Sequence, residues 1–159
     1  MQTRLHGIEI RTDLKLSGTF VPVAEFNGPL DDPHYIDGAI SLIIDGVELL
    51  GTELWDLVDQ LWCYIANGLV EAAGGRTFST YFPDQPLQIS FTPLGDNVKI
   101  IIDCDPFPKS VLVNLQTILN AVLRHMDDLA DEFGKLDGAT TFAPERQELR
   151  SALACLRNG

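Results

Sequence analysis

The apolar positions along the chain change period several times, and each change marks an element. Residues 5–16 alternate: Ile8, Ile10, Leu14 and Leu16 fall on one side, Glu9, Arg11, Asp13 and Lys15 on the other. A period of two over this length is a half-buried antiparallel strand. Ser17-Gly18 breaks the run, and Thr19 to Phe26 reads as a second strand. Pro22 cannot donate to a ladder, so that strand belongs at an edge. Asn27 to Pro33 is a loop by composition. Tyr35 to Ile44 and Val47 to Leu50 are apolar and β-branched around Asp45-Gly46, a dipeptide suited to a two-residue hairpin because both positions need positive φ.

Beyond Gly51 the spacing becomes helical. Thr52 is the expected N-cap, with Glu53 and Asp56 near the positive end of the dipole. Leu54, Leu57, Val58, Leu61, Ile65 and Leu69 recur at three and four, Trp55 and Trp62 flank them, and Gly74-Gly75 ends the helix. Residues 76–86 read as a connection rich in aromatics and prolines. Leu87, Ile89 and Phe91 alternate with polar residues as a strand, Leu94 to Asn97 turns, and Val98 to Ile102 returns.

Pro106 and Pro108 suit the first turn of a second helix running to about Phe133. Leu112, Leu115, Ile118, Leu119, Val122, Met126 and Leu129 would face the core, and Gly134 stops the helix. Pro144 begins a last short helix carrying Leu149, Ala152, Leu153 and Leu156. Hairpins beside one-faced helices predict an α+β fold. The expectation is one domain over 1–159, its mostly antiparallel sheet packed on one face by two main helices, with a short C-terminal helix.

Charge narrows the function classes. Net charge is −12, and from Ser17 to Gly75 there is no lysine or arginine. The same stretch holds ten carboxylates: Glu25, Asp31, Asp32, Asp37, Asp45, Glu48, Glu53, Asp56, Asp59 and Glu71. Like charges without local partners oppose folding. Binding nucleic acid requires cations that release counterions, and anionic membranes attract the same cations. Neither is an expected ligand; a basic protein is the natural complement. The bland reading is that acidity only maintains solubility.

Cys63, Cys104 and Cys155 are far apart, with no CxxC pair, and are expected as buried structural thiols in a reducing compartment. MQTRLHGIEI lacks an apolar core of signal-peptide length, and no apolar run approaches a membrane span. A cytoplasmic location is therefore expected.

Catalytic and metal motifs find little support. His6, His34 and His125 lack metal-type spacing, and His125, beside Met126-Asp127-Asp128, is expected on the solvated side of its helix. Asp103-x-Asp105 has the look of a cation-binding pair, but a cap on the helix expected after Pro106 is the simpler role. Asp31-Asp32-Pro33-His34 reads as an exposed acidic loop. There is no GxSxG elbow and no phosphate-cradling glycine loop. A binding protein is expected rather than an enzyme, with no cofactor or metal.

Aromatics beside fixed charge suggest an interface: Trp55 and Trp62 neighbour Asp56 and Asp59, and Tyr81-Phe82 lies downstream. The alternative for both indoles is ordinary core. The candidate partner-binding set is Asp31, Asp32, Asp37, Glu48, Asp56 and Asp59, with Trp55 or Tyr81 as apolar anchor. A competing cluster is Asp127, Asp128, Asp131 and Glu132.

Size, acidity and the segments IDGAISLIIDGVELLGTELWDLVDQLWCYI and YFPDQPLQISFTPLGDNVKIIID give a profile that resembles the small acidic immunity proteins bacteria make beside polymorphic or contact-dependent toxins. The resemblance implies a cytoplasmic inhibitor that covers the cationic active site of a cognate toxin, commonly a nuclease. A second class is a small-ligand or metabolic domain whose aromatics Trp62, Tyr81 and Phe91 line an enclosed pocket. Self-assembly through a strand edge is a third.

Overall fold

The computed structural model describes residues 2–158. Its strands divide between two antiparallel sheets, and three helices complete an α+β fold. In the first sheet the long strands β2 (Ile8–Leu16) and β4 (Asp37–Ile44) pair from Ile8↔Ile44 to Leu14↔Gly38. β1 (Gln2–Leu5) covers the first half of β2's free edge and β3 (Thr19–Pro22) the second. β5 (Val47–Leu50) and β6 (Asp56–Leu57) do the same for β4. Pro22 does sit on an edge strand, and the chain leaves it as a single 3-10 turn, Val23–Glu25, rather than continuing extended to Phe26.

Three hairpins of this sheet turn on the same two-residue geometry. Asp45-Gly46 has φ of 50° and 81°, Ser17-Gly18 51° and 82°, and His6-Gly7 48° and 81°. Positive φ at both positions matches the twist of the flanking strands. His6-Gly7 therefore splits the strand expected over 5–16 into β1 and β2.

The second sheet has the order β10-β9-β8-β7: β7 (Phe78–Tyr81), β8 (Gln88–Leu94), β9 (Asn97–Asp103) and β10 (Lys109–Asn114). Two of these strands correct the sequence reading. Residues 76–86 are not wholly irregular, and Lys109–Asn114 is a strand rather than the start of a helix. Val111 and Val113 are buried while Ser110, Leu112 and Asn114 face out, an alternation of β-branched residues that outweighs the helix-start signal of Pro106 and Pro108. Leu112, expected in the core, is 56% exposed. Asp103 and Asp105 consequently cap no helix.

α1 runs Val58–Ala73, α2 Leu115–Phe133 and α3 Ala143–Asn158. α1 begins later than expected: Thr52–Leu54 is a 3-10 turn and Asp56–Leu57 pairs with β4. α2 starts at Asn114, whose side chain accepts from the Thr117 amide at 3.0 Å, the standard N-cap bond. α1 packs on β7, β8 and β4, α2 on β1, β2, β9 and β10, and α3 lies across both helices. One continuous core joins both sheets and all three helices.

Candidate functional site

Three of the expected partner-binding acids converge. Asp31, Asp32 and Asp37 line one surface cavity of about 160 Å³ together with Lys15 and Tyr35. The loop holds its shape partly through Asp32, whose Oδ1 accepts from the His34 amide at 2.9 Å; Asx turns of this kind fix a chain reversal locally. Asp37 enters from the first residue of β4. Tyr35, which the sequence reading left out of the set, is 67% exposed at the rim. It could have been found as an aromatic set between Asp32 and Asp37.

Trp55 adjoins this cavity through Lys15, whose ammonium lies 3.6 Å from the indole centroid. The strand registers explain the contact. Asp13 pairs with Ala39 and Asp37 with Leu57, so continuing the two ladders brings Lys15 and Trp55 to the same outer face of the sheet. A cation held on an aromatic face is attracted by the ring quadrupole. Lys15 makes no ion pair among the described residues.

The remaining expected residues lie elsewhere. Asp56 is 2% exposed and works as an internal acceptor. Its Oδ1 takes the Leu57 and Asp84 amides at 2.6 and 3.0 Å, and its Oδ2 takes the Gln85 amide at 2.9 Å. It ties the 82–87 loop to the start of α1 and drops out of any docking surface. Glu48 approaches Glu53 around Gly51, with Lys109 pairing Glu53 at 3.3 Å. Tyr81 is 65% exposed on β7, the edge of the other sheet. Trp62 is 1% exposed and belongs to the core.

Asp59 is half-buried in the first turn of α1, near Cys63. Its Oδ1 is buried with no hydrogen-bond partner, and burial raises its pKa above the ordinary carboxylate value. Nearby, burial and then the charge of Glu145 push the Cys63 thiol up to about 12, so Cys63 is a neutral packing group rather than a nucleophile. Of the three cysteines expected to be buried, Cys63 and Cys104 are half-buried and Cys155 is exposed.

His125 corrects the sequence reading most sharply. It is fully buried, not solvated. Thr3 Oγ1 lies 2.9 Å from its Nδ1 and Thr12 Oγ1 2.8 Å from its Nε2, while Trp62 Nε1 donates to the same Thr12 hydroxyl at 3.0 Å. An indole can only donate. Thr12 therefore accepts from Trp62, and the Thr12 and Thr3 hydroxyls engage the two ring nitrogens of His125. Burial lowers the His125 pKa to about 3, so the imidazole is neutral and ties α2 to β1 and β2.

Two of the four acids of the competing cluster are paired with cations, while Asp128 and Asp131 are exposed and make no ion pair among the described residues. Asp127 is bound by Arg146 at 2.7 Å and Arg150 at 2.6 Å, both from α3, and Glu132 by Lys135 at 3.4 Å. Trp62 and Phe91 are core residues and Tyr81 is exposed, so these aromatics share no pocket. Another cavity, about 620 Å³, is an open groove between His6 and the outer face of α2 around Asn120 and Arg124.

No protein-family model matches the chain, and no curated protein or solved structure matches it. Among the described residues, no cluster of His, Cys, Asp or Glu could hold a metal ion, and no helix is long and apolar enough to cross a membrane.

Proposed function

We propose that this chain is an immunity-type inhibitor that docks onto a basic protein, a cognate toxin domain, through the face formed by Asp31, Asp32, Asp37, Tyr35 and Trp55. The observation that supports this most is the contrast between the two acidic clusters. In the second, Asp127 and Glu132 are paired with cations at the surface and Asp128 and Asp131 are left unpaired among the described residues, whereas Asp31, Asp32 and Asp37 line a common cavity and none of the three makes an ion pair among the described residues. Charge left unpaired beside the exposed Tyr35 and the half-buried Trp55 suits a partner that brings arginines or lysines.

The cavity is smaller than pockets that enclose drug-sized ligands, which run from about 300 Å³. It has room for a side chain of a partner. Carboxylates around it would speed encounter with a cationic surface by about 10–10³-fold at low salt. They would also occupy the lysines and arginines a nuclease needs for phosphate. Lys15 is the one cation lining the cavity; in this reading it rests on Trp55 and yields to the partner's cation.

The test starts from the gene neighbourhood, where a reading frame for a large secreted protein with a variable C-terminal domain is expected. Producing that C-terminal domain alone should arrest growth, and co-production of the chain should restore it. An Asp31→Lys/Asp32→Lys/Asp37→Lys variant that folds should fail to protect. Full protection by that variant would refute the assigned face.

A further inference from the structure

The outer face of the second sheet carries a charge arrangement that the inhibitor reading does not use. The registers align three rows across the strands. Ser79, Ser90, Ile101 and Ser110 form the middle row. Thr92, Lys99 and Leu112 form the row on one side, and Tyr81, Gln88 and Asp103 the row on the other. The opposite face of this sheet is core: Ile89, Phe91, Val98, Ile100 and Ile102 are all buried. On the outer face Lys99, Asp103, Ser110 and Tyr81 are exposed and Ile101 is half-buried.

The chain has 23 acidic and 11 basic residues, and Lys99 is one of four cations, with Lys15, Arg124 and Arg157, that lack a carboxylate partner among the described residues. Lys99 makes no ion pair among the described residues, and neither does Asp103. They stand on one strand and one face, about 13 Å apart at about 3.3 Å per residue. That separation is too great for them to pair with each other. It is the right separation for pairing with a second copy.

We infer that the outer face of the second sheet is a two-fold interface between two copies of this chain. The axis lies in the interface plane, perpendicular to the strands, and passes over Ile101. This operation maps the middle row onto itself and exchanges the flanking rows. Lys99 then meets Asp103 of the second copy, and Asp103 meets Lys99. The alternative axis, parallel to β9 and over it, would set Lys99 on Lys99 and Asp103 on Asp103, and like-charge contact excludes it. Closed isologous pairing needs this kind of self-complementarity.

The other side chains fit the same operation. Three of the four middle-row residues are serines, which lets two sheets approach with only Ile101 projecting between them. Leu112, 56% exposed, comes over the second copy's turn after β9, where Phe107 is 77% exposed. Those are two of the largest exposed apolar groups of the molecule. The face is also nearly neutral, so it is where a chain of net charge −12 can meet itself with least repulsion. The interface is separate from the Asp31–Asp37 cavity and does not depend on the inhibitor reading.

Sedimentation equilibrium on the full chain tests this. Wild type should show a monomer–dimer equilibrium. Lys99→Glu and Asp103→Lys should each weaken it about tenfold, roughly the effect of losing two exposed ion pairs, with circular dichroism unchanged. An equimolar mixture of those two variants should restore dimers, because one copy then carries only acids and the other only cations at the two positions. The double variant Lys99→Glu/Asp103→Lys should dimerise by itself. A chain that stays monomeric at every concentration, or dimers indifferent to both single reversals, would overturn the inference.

Discussion

Thr12 and His125, from β2 and α2, meet at 2.8 Å in a pocket closed to water. The Trp62 indole completes the arrangement from above, its ring centroid 5.3 Å from that of the imidazole. A buried neutral histidine has a definite consequence for stability. The unfolded chain takes up a proton near the ordinary 6.5, while the folded chain resists until about 3. Between those values the unfolded state binds more protons, so stability falls as pH falls. The full effect is on the order of 5 kcal/mol, with about 3 kcal/mol of it between pH 6.5 and pH 4. Urea unfolding from pH 7.5 down to pH 4 should show this loss, and His125→Phe should flatten its histidine component.

Asp56 is expected to matter for folding rather than docking. Its carboxylate receives amides from Leu57, Asp84 and Gln85. Removing an acceptor strands buried donors at about 1–3 kcal/mol each. Asp56→Ala should destabilise the protein by roughly 2–4 kcal/mol, given that the loop can relax and rehydrate some of them. Asp56→Asn retains one acceptor oxygen and should cost less. Thermal unfolding of the three proteins gives the order.

Asp59 should behave in the opposite sense. Burial raises its pKa, so above that value its charge opposes folding, and the penalty fades as pH falls through it. Asp59→Asn should raise the melting temperature at pH 7 and give no gain in acid. The sign is the reverse of that for His125, so a pH series separates the two.

The turns and stops were legible in the sequence because single residues dictate them: Asp45-Gly46, Ser17-Gly18, Gly74-Gly75 and Gly134. The alternation of Ile89 and Phe91 likewise led to β8. Lys109–Asn114 was hidden because only Val111 and Val113 mark it, and Pro106 and Pro108 imitate a helix start. His125 sits three after Val122 and four before Leu129, on the apolar stripe; polarity alone had placed it in solvent. Asp56 could not be read as internal, since its partners come from a loop nearly thirty residues later. The Asp31, Asp32 and Asp37 grouping was legible because one short loop and the first residue of the strand after it carry all three. Glu48 and Tyr81 separated from it because strand order, which local spacing does not encode, put them on other edges.

Lys15 offers a probe of the docking face that leaves the acids intact. Its ammonium is held on Trp55 and competes for the same cavity. Lys15→Met should tighten binding of a basic partner severalfold, chiefly through faster association. Stopped-flow tryptophan fluorescence would report both the rate and the change around Trp55.

The most direct measurement is calorimetric titration of the chain with the toxin domain encoded beside it, at several salt concentrations. The account expects tight binding that weakens with salt and is lost in the Asp31→Lys/Asp32→Lys/Asp37→Lys variant, with reversal at Asp127 and Asp128 having little effect. Binding that survives the triple reversal unchanged and ignores salt would contradict it.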